Sequence, residues 1–250
     1  MIRLKNSEQI EGIRRSCSLL SELFRMLRPM VQPGVSLLEL DKAAYDFIIQ
    51  HKGIPAFLDY DGFPASLCLS VNEAVIHGIP DRRRLVEGDI IGVDCGIDLG
   101  GYFSDAAVTW AAGKVSPEAS QLMKVTRECL DRAIAAVRPG ARVHDISRAV
   151  FSHATAHGYG VVRSYCGHGV GLEPHEDPQI PNYVSAGPNP RLLPGMVIAV
   201  EPMINAGRAD VRELDDDWTV VTMDGSLSAH YEHSILITET GHEVLTSWEF

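Results

Sequence analysis

GVDCGIDLGGYFSDAAVTW (92–110) decides how the rest of the chain is read. Ile90 to Asp94 is strand-like, Leu99-Gly100-Gly101 is a turn signal, and Tyr102 to Trp110 reads as a returning strand. A hairpin centred between Leu99 and Gly100 sets Asp94 directly opposite Asp105. Opposed residues have Cβ atoms roughly 5 Å apart, where like charges repel. A fold keeps such a pair only if a shared proton or a bound cation neutralises it.

Working outward, other polar groups turn up where burial is expected. Glu201 follows the apolar run Val197-Ile198-Ala199-Val200 and precedes Pro202, so it ends a buried strand with an ionisable group. Glu232 stands just before the apolar strand Ile235-Leu236-Ile237, and His168 lies in Gly167-His168-Gly169-Val170-Gly171. Four carboxylates and an imidazole suit two divalent ions of intermediate hardness, such as Mn(II), Fe(II) or Co(II), with Zn(II) also compatible. Calcium fits poorly because of the imidazole. Two such ions acidify a shared water and steady a tetrahedral oxyanion, which points to hydrolysis of an amide or ester.

The flanking sequence carries helix signals and an internal repeat. Ile10, Ile13, Cys17, Leu20, Phe24 and Leu27 keep helical spacing. Ser36 with Glu39 forms a capping box for a helix running to about Gly53. Ser116-Pro117 opens a third helix ending near Pro139-Gly140, and a fourth runs from about Val143 to Gly158. Strands are expected within 66–71, 191–205, 218–223 and 230–238. Pro33-Gly34 and the helix after it match Pro139-Gly140 and its helix, with His51 falling on His157. RRLVEGDIIGVD (83–94) matches PRLLPGMVIAVE (190–201), with Asp94 on Glu201. The repeat predicts pseudo-symmetric halves at roughly 28–110 and 135–238, within a single domain over 1–250, that bring Asp94 and Glu201 toward a common axis.

Composition sets the boundaries. At 250 residues, with 45% hydrophobic and 22% charged residues, the chain can bury a substantial core. A net charge of −11 argues against sequence-independent nucleic-acid or anionic-membrane binding. No apolar run reaches the roughly 20 residues of a membrane span, and the N-terminus does not read as a signal peptide. Cys17, Cys68, Cys95, Cys129 and Cys166 are odd in number and scattered, which predicts reduced thiols in a cytoplasmic protein. Cys95 reads as a small buried residue, and Asp215-Asp216-Asp217 as a solvated turn. His230 and His233 occupy opposite strand faces, which argues against joint ligation, whereas His230 shares a face with Glu232.

VNEAVIHGIP (71–80), GVDCGIDLGGYFSDAAVTW (92–110), GHGVG (167–171), PHEDPQIPNY (174–183), AVEPMIN (199–205) and SLSAHYEHS (226–234) together resemble the type I methionine aminopeptidases. The resemblance implies the α+β pita-bread (creatinase/aminopeptidase) fold, in which helices cover a curved antiparallel sheet in two pseudo-symmetric halves. It also implies removal of the initiator methionine from nascent polypeptides, preferring a small second residue, with a metal-bridging water or hydroxide as nucleophile. By position, Asp94 chelates one ion, Asp105 and Glu232 bridge, and His168 and Glu201 hold the other. Glu201 is the base and proton shuttle, His175 meets the scissile carbonyl, and His77 bonds the peptide nitrogen on the leaving side. Tyr60, Phe63, Cys68 and Trp218 match positions around the methionine side chain. Three positions depart from the bacterial pattern: Phe57 replaces a common cysteine, Pro174 a common aromatic residue, and His230 a frequent glutamine. Ribosome proximity is a further expectation from the resemblance, and a monomer is expected. Two rivals are a proline-directed relative, aminopeptidase P or prolidase, which carries an extra N-terminal domain, and a binding protein that has retired the cleft.

Overall fold

The computed structural model describes residues 1–248. Four helices lie on the outside: α1 (Ser7–Leu27), α2 (Leu37–Gln50), α3 (Pro117–Ala136) and α4 (Val143–Ala156). Their starts are set by local chemistry. The Asn6 side chain accepts from the Gln9 amide at 2.9 Å, and Ser36 and Glu39 form the expected reciprocal cap. Ser116 caps α3 ahead of Pro117, and the Arg142 amide donates to Asp145 at 2.9 Å. Each helix turns one apolar face inward, exemplified by Leu20, Leu23, Phe24 and Leu27 of α1 and Leu122, Val125 and Leu130 of α3. These pack on Ile91, Val93 and Ile97 of the hairpin and on Ile198 and Val200.

All strand pairings among the described residues are antiparallel. One sheet is built on the hairpin Ile90–Asp98 and Phe103–Ala111, with Cys68–Val71 and the short Ile54–Pro55 on its other edge. A five-stranded sheet contains Gly167–Gly169, Val197–Val200 and His233–Ile237, and a three-stranded sheet contains Met203–Asn205 and Ser228–His230. Two strands therefore run from one of these sheets into the next. They change sheets at Glu201-Pro202 and at Tyr231-Glu232, where the pairing passes from Val200↔His233 to Met203↔His230. Both glutamates sit at this corner.

The hairpin register differs from the sequence expectation. Asp94 pairs with Ala107 and Gly96 with Asp105, so the aspartates are diagonal neighbours on one face instead of directly opposed. The turn is centred between Gly100 and Gly101, with Leu99 N–H donating to the Tyr102 carbonyl at 2.9 Å. Both glycines have positive φ, 67° and 86°, which a tight two-residue hairpin turn demands and leucine would resist. A shift of two residues preserves facing, so the pair still shares a surface.

Bonds around the repeated segments recur 106 or 107 residues apart. Gly34 N–H donates to the Leu85 carbonyl at 2.7 Å, and Gly140 N–H to the Leu192 carbonyl at 2.8 Å. The Arg84 guanidinium donates to the Gly34 carbonyl at 2.6 Å, and that of Arg191 to the Gly140 carbonyl at 3.0 Å.

Side-chain hydroxyls clamp the hairpin to the sheet corner. Thr109 Oγ1 donates to the His230 carbonyl at 2.8 Å and accepts from the His230 amide at 2.9 Å. Ser234 Oγ donates to the Asp105 carbonyl at 2.7 Å, and the Glu232 amide donates to the Ala107 carbonyl at 2.8 Å. Replacing Thr109 with valine keeps the shape but strands both backbone groups of His230. The expected cost is ~1–3 kcal/mol, read as a lowered urea midpoint with unchanged slope.

Candidate metal centre and active-site cleft

A cleft of about 300 Å³ opens between the hairpin sheet and the sheet corner. Asp94, Asp105, His168, Glu201 and Glu232 all line it, together with His77, His175, Phe57, Tyr60, Phe63, Cys68 and Trp218. Side chains separated by more than a hundred positions thus converge. His168 Nε2 lies 3.7 Å from Asp105 Oδ2 and 3.5 Å from Glu201 Oε1. Ligand atoms of Asp105, His168 and Glu232 all fall within 4.8 Å of one another. The His168 Nδ1 is bonded to the Gly169 carbonyl at 2.9 Å, which leaves the Nε2 lone pair facing the carboxylates.

The glycines around His168 serve close approach and not turning. A Cβ at Gly167 would lie 2.3 Å from the Ala199 carbonyl oxygen, and one at Gly169 would lie 2.3 Å from that of Asp177. His168 is held on a strand between two neighbours that leave no room for side chains beside it.

The electrostatics are those of a site short of positive charge. Burial pushes the Asp94 carboxyl up to about 8. Burial and then the Asp94 charge do the same to Glu201, also to about 8. Asp105 and Glu232 rise well above the carboxylate range, through burial first and their carboxylate neighbours second. Asp94 Oδ1, Asp105 Oδ1 and Glu232 Oε1 are buried with no hydrogen-bond partner. Unsatisfied oxygens in a ring of like charges are what divalent cations repair, so the donor set fits the pair of ions inferred from the sequence.

His77 and His175 flank this centre. His77 is held with φ at 56°, a left-handed backbone unusual for a side chain of its size. Its ring meets Tyr165 and Trp218 edge-on, and burial followed by the His175 charge pushes its pKa down to about 4. His175 stands on the rim with Nδ1 3.0 Å from the Tyr60 hydroxyl and its ring 4.3 Å from that of His168. The loop bearing His175 is anchored by Glu176. One Glu176 oxygen accepts from the Leu172 amide at 2.7 Å, and the other accepts from Lys5 Nζ at 2.9 Å, both side chains almost fully buried.

The remaining residues singled out in the sequence divide between the cleft and its surroundings. Pro174 is absent from the cleft lining, although its neighbour His175 is part of it. Phe57 does reach it, lying 2.9 Å from where a Cβ on Gly96 would be, so the absent side chain at 96 makes its space. His230 enters the centre, 3.7 Å from Glu201 Oε2 and 3.9 Å from Glu232 Oε2, whereas His233 bonds Thr246 and stacks on Trp248. Asp61 lines the cleft, and no spacing in the sequence marked it. Cys95 is fully buried in the core, all five cysteines are free thiols, and Asp216 caps the turn before Trp218.

A model of metallopeptidase family M24 matches residues 11–239. A methionine aminopeptidase of Treponema pallidum is 51% identical over 98% of this chain and 96% of its own length. The chain belongs to metallopeptidase family M24, among its methionine aminopeptidases. Methionine aminopeptidase 1 of Bacillus subtilis is 45% identical over 98% of this chain and 99% of its own. The structure of the Rickettsia prowazekii methionine aminopeptidase superposes with a TM-score of 0.96, at 40% identity over 99% of this chain and 100% of that one. Prolidase of Pyrococcus furiosus gives 0.79 at 23% identity over 99% of this chain and 66% of that one, a likeness of fold alone. The fold of this M24 enzyme is the pita-bread fold expected from its motifs. No helix among the described residues is long and apolar enough to cross a membrane.

The carboxyl pKa values bear on stability without metal. A raised carboxyl stabilises the fold below its ordinary 3.8 or 4.5 and loses that contribution as pH climbs through about 8. His168 and His230, both pushed by burial to about 3, and His77 at about 4 run the other way. Their contribution is present above the ordinary 6.5 and is lost below it. From pH 6.5 to about 8 the carboxyls dominate. The melting temperature of chelator-treated enzyme is therefore expected to fall as pH rises over this interval, and excess Mn(II) is expected to abolish the fall. Thermal melts with and without EDTA check both.

Proposed function

We propose that this M24 enzyme hydrolyses the first peptide bond of polypeptides that begin with methionine, preferring a small second residue. Its physiological substrates would be nascent N-termini in the cytoplasm. The observation that carries this reading is the junction of two environments in one cleft, where a ring of buried unsatisfied carboxylates adjoins the apolar wall of Phe57, Phe63, Cys68 and Trp218. The wall suits an unbranched thioether, which gains from contact with aromatic rings. Phe63 and Trp218 already meet edge-on at 5.1 Å, leaving their faces and edges to shape the pocket. The segments 28–110 and 135–238 act together as one catalytic unit.

Asp94, Asp105, His168, Glu201 and Glu232 would hold the divalent cations. When bound, the two cations supply Lewis acidity to the scissile carbonyl and to the attacking water. Glu201 accepts the proton released as water attacks, then returns it to the departing amine. In the tautomer this role requires, His175 Nδ1 accepts from the Tyr60 hydroxyl 3.0 Å away and the ring proton sits on Nε2, available to the developing oxyanion. His77, neutral at physiological pH, bonds the peptide nitrogen on the leaving side.

The test is a panel of Met-Ala-Ser, Met-Arg-Ser and Met-Pro-Ser with Mn(II) or Co(II). Methionine release from the first and little from the second is expected. No release from the first overturns the proposal, and cleavage confined to the proline peptide assigns the enzyme to a proline-directed reaction. His175→Ala is expected to lower kcat by ~10²–10³ through loss of an oxyanion donor. Tyr60→Phe is expected to lower it by about fivefold, the worth of one orienting hydrogen bond.

A further inference from the structure

Away from the cleft, three potential ligands meet between α3 and α4. His153 Nε2 lies 2.8 Å from Glu128 Oε2, and the rings of His153 and His157 meet edge-on at 4.6 Å. One donor atom from each of Glu128, His153 and His157 falls within 4.8 Å of the other two. We propose that Glu128, His153 and His157 form a second, mononuclear site for a divalent ion of the zinc class, which clips α3 to α4.

The two histidines are four residues apart, His153 in the last turn of α4 and His157 at its C-terminal cap, so they lie on one side of the helix end. His157 Nδ1 is tied to the His153 carbonyl at 2.9 Å, which fixes the tautomer and leaves the Nε2 lone pair for a ligand. This arrangement presents a metal-ready nitrogen with its supporting bond already made. Glu128 brings the negative charge from the facing helix. Its carboxyl is held below the usual carboxylate range, chiefly by the bond from His153. Its other oxygen leans toward Lys124 at 3.9 Å, so Oε2 is the one offered to the ion. Two imidazoles and a carboxylate satisfy three positions of a tetrahedral zinc ion, and the exposure of His157 leaves the fourth to water.

The internal repeat separates packing from ligation. Residues 47 and 51 at the end of α2 correspond to 153 and 157 at the end of α4. His51 Nδ1 bonds the Phe47 carbonyl at 2.8 Å, and the two rings lie 4.2 Å apart. The helix end in the first half thus has the same backbone tie, with phenylalanine in place of His153 and the rings tilted at 33° where those of His153 and His157 meet edge-on at 63°. Packing there requires only an aromatic ring. An imidazole at 153, with Glu128 bonded to its outer nitrogen, adds a donor that the packing does not call for.

The first half also supplies the control. His153→Phe keeps an aromatic ring and removes one ligand, and Glu128→Gln removes the charge. Equilibrium dialysis of the full-length enzyme against micromolar zinc, followed by elemental analysis, is expected to give one zinc fewer per chain in each variant. Zinc is expected to raise the melting temperature of the wild type by several degrees more than that of either variant. Peptidase activity after loading with Mn(II) is expected to be unchanged. Equal zinc counts in wild type and variants overturn the proposal. So does a lower count accompanied by loss of activity, since the missing ion would then belong to the cleft.

Discussion

Four carboxylates share one buried cleft, and most of the architecture is arranged around that constraint. Asp94 and Asp105 arrive on a hairpin, Glu201 and Glu232 at a corner where two paired strands leave one sheet for another. A corner is where a strand must break its alternation, so an ionisable side chain there can turn toward the cleft while both neighbouring runs stay apolar. Mutual repulsion is resisted mechanically as well as chemically. Thr109 and Ser234 bind hairpin and corner through hydroxyl bonds to backbone groups, which makes the separation of the aspartates and glutamates a property of the scaffold. The scaffold is preorganised for charge that the polypeptide itself does not contain.

How much of this was legible depends on how local each signal is. Capping boxes and helix starts were readable because they are made by residues three apart. The four helices fall within a few residues of expectation. The hairpin was readable as a hairpin, yet its centre was misplaced by one residue because a Leu-Gly-Gly run offers two positions for the turn. Only the demand for positive φ at both central residues selects Gly100-Gly101. Strand parity rescued the inference, since a register error of two leaves Asp94 and Asp105 on one face.

The cleft was legible as a set of residues but not as a set of contacts. The five carboxylate and imidazole side chains came from motifs, whereas the tie between Tyr60 and His175 spans 115 positions and has no trace in local spacing. Asp61 was invisible for the same reason. The entry of His230 beside Glu201 and Glu232 follows from its strand parity with Glu232, but how near it approaches depends on the corner. Pro174 marks the opposite case. Its position in the motif suggested a wall residue, yet the lining of the cleft does not include it.

The buried pair of Lys5 and Glu176 gives the rim histidine a dependence on the far end of the polypeptide. Lys5 comes before the first helix, and its backbone is fastened to the Gly195 carbonyl at 2.8 Å while its ammonium holds the carboxylate next to His175. Breaking a buried ion pair from one side strands the other charge. A truncation of the first few residues, or a fusion that pulls them outward, would therefore loosen a loop encoded some 170 codons downstream. Catalytic alignment in this enzyme thus rests partly on the strap of residues that precedes α1.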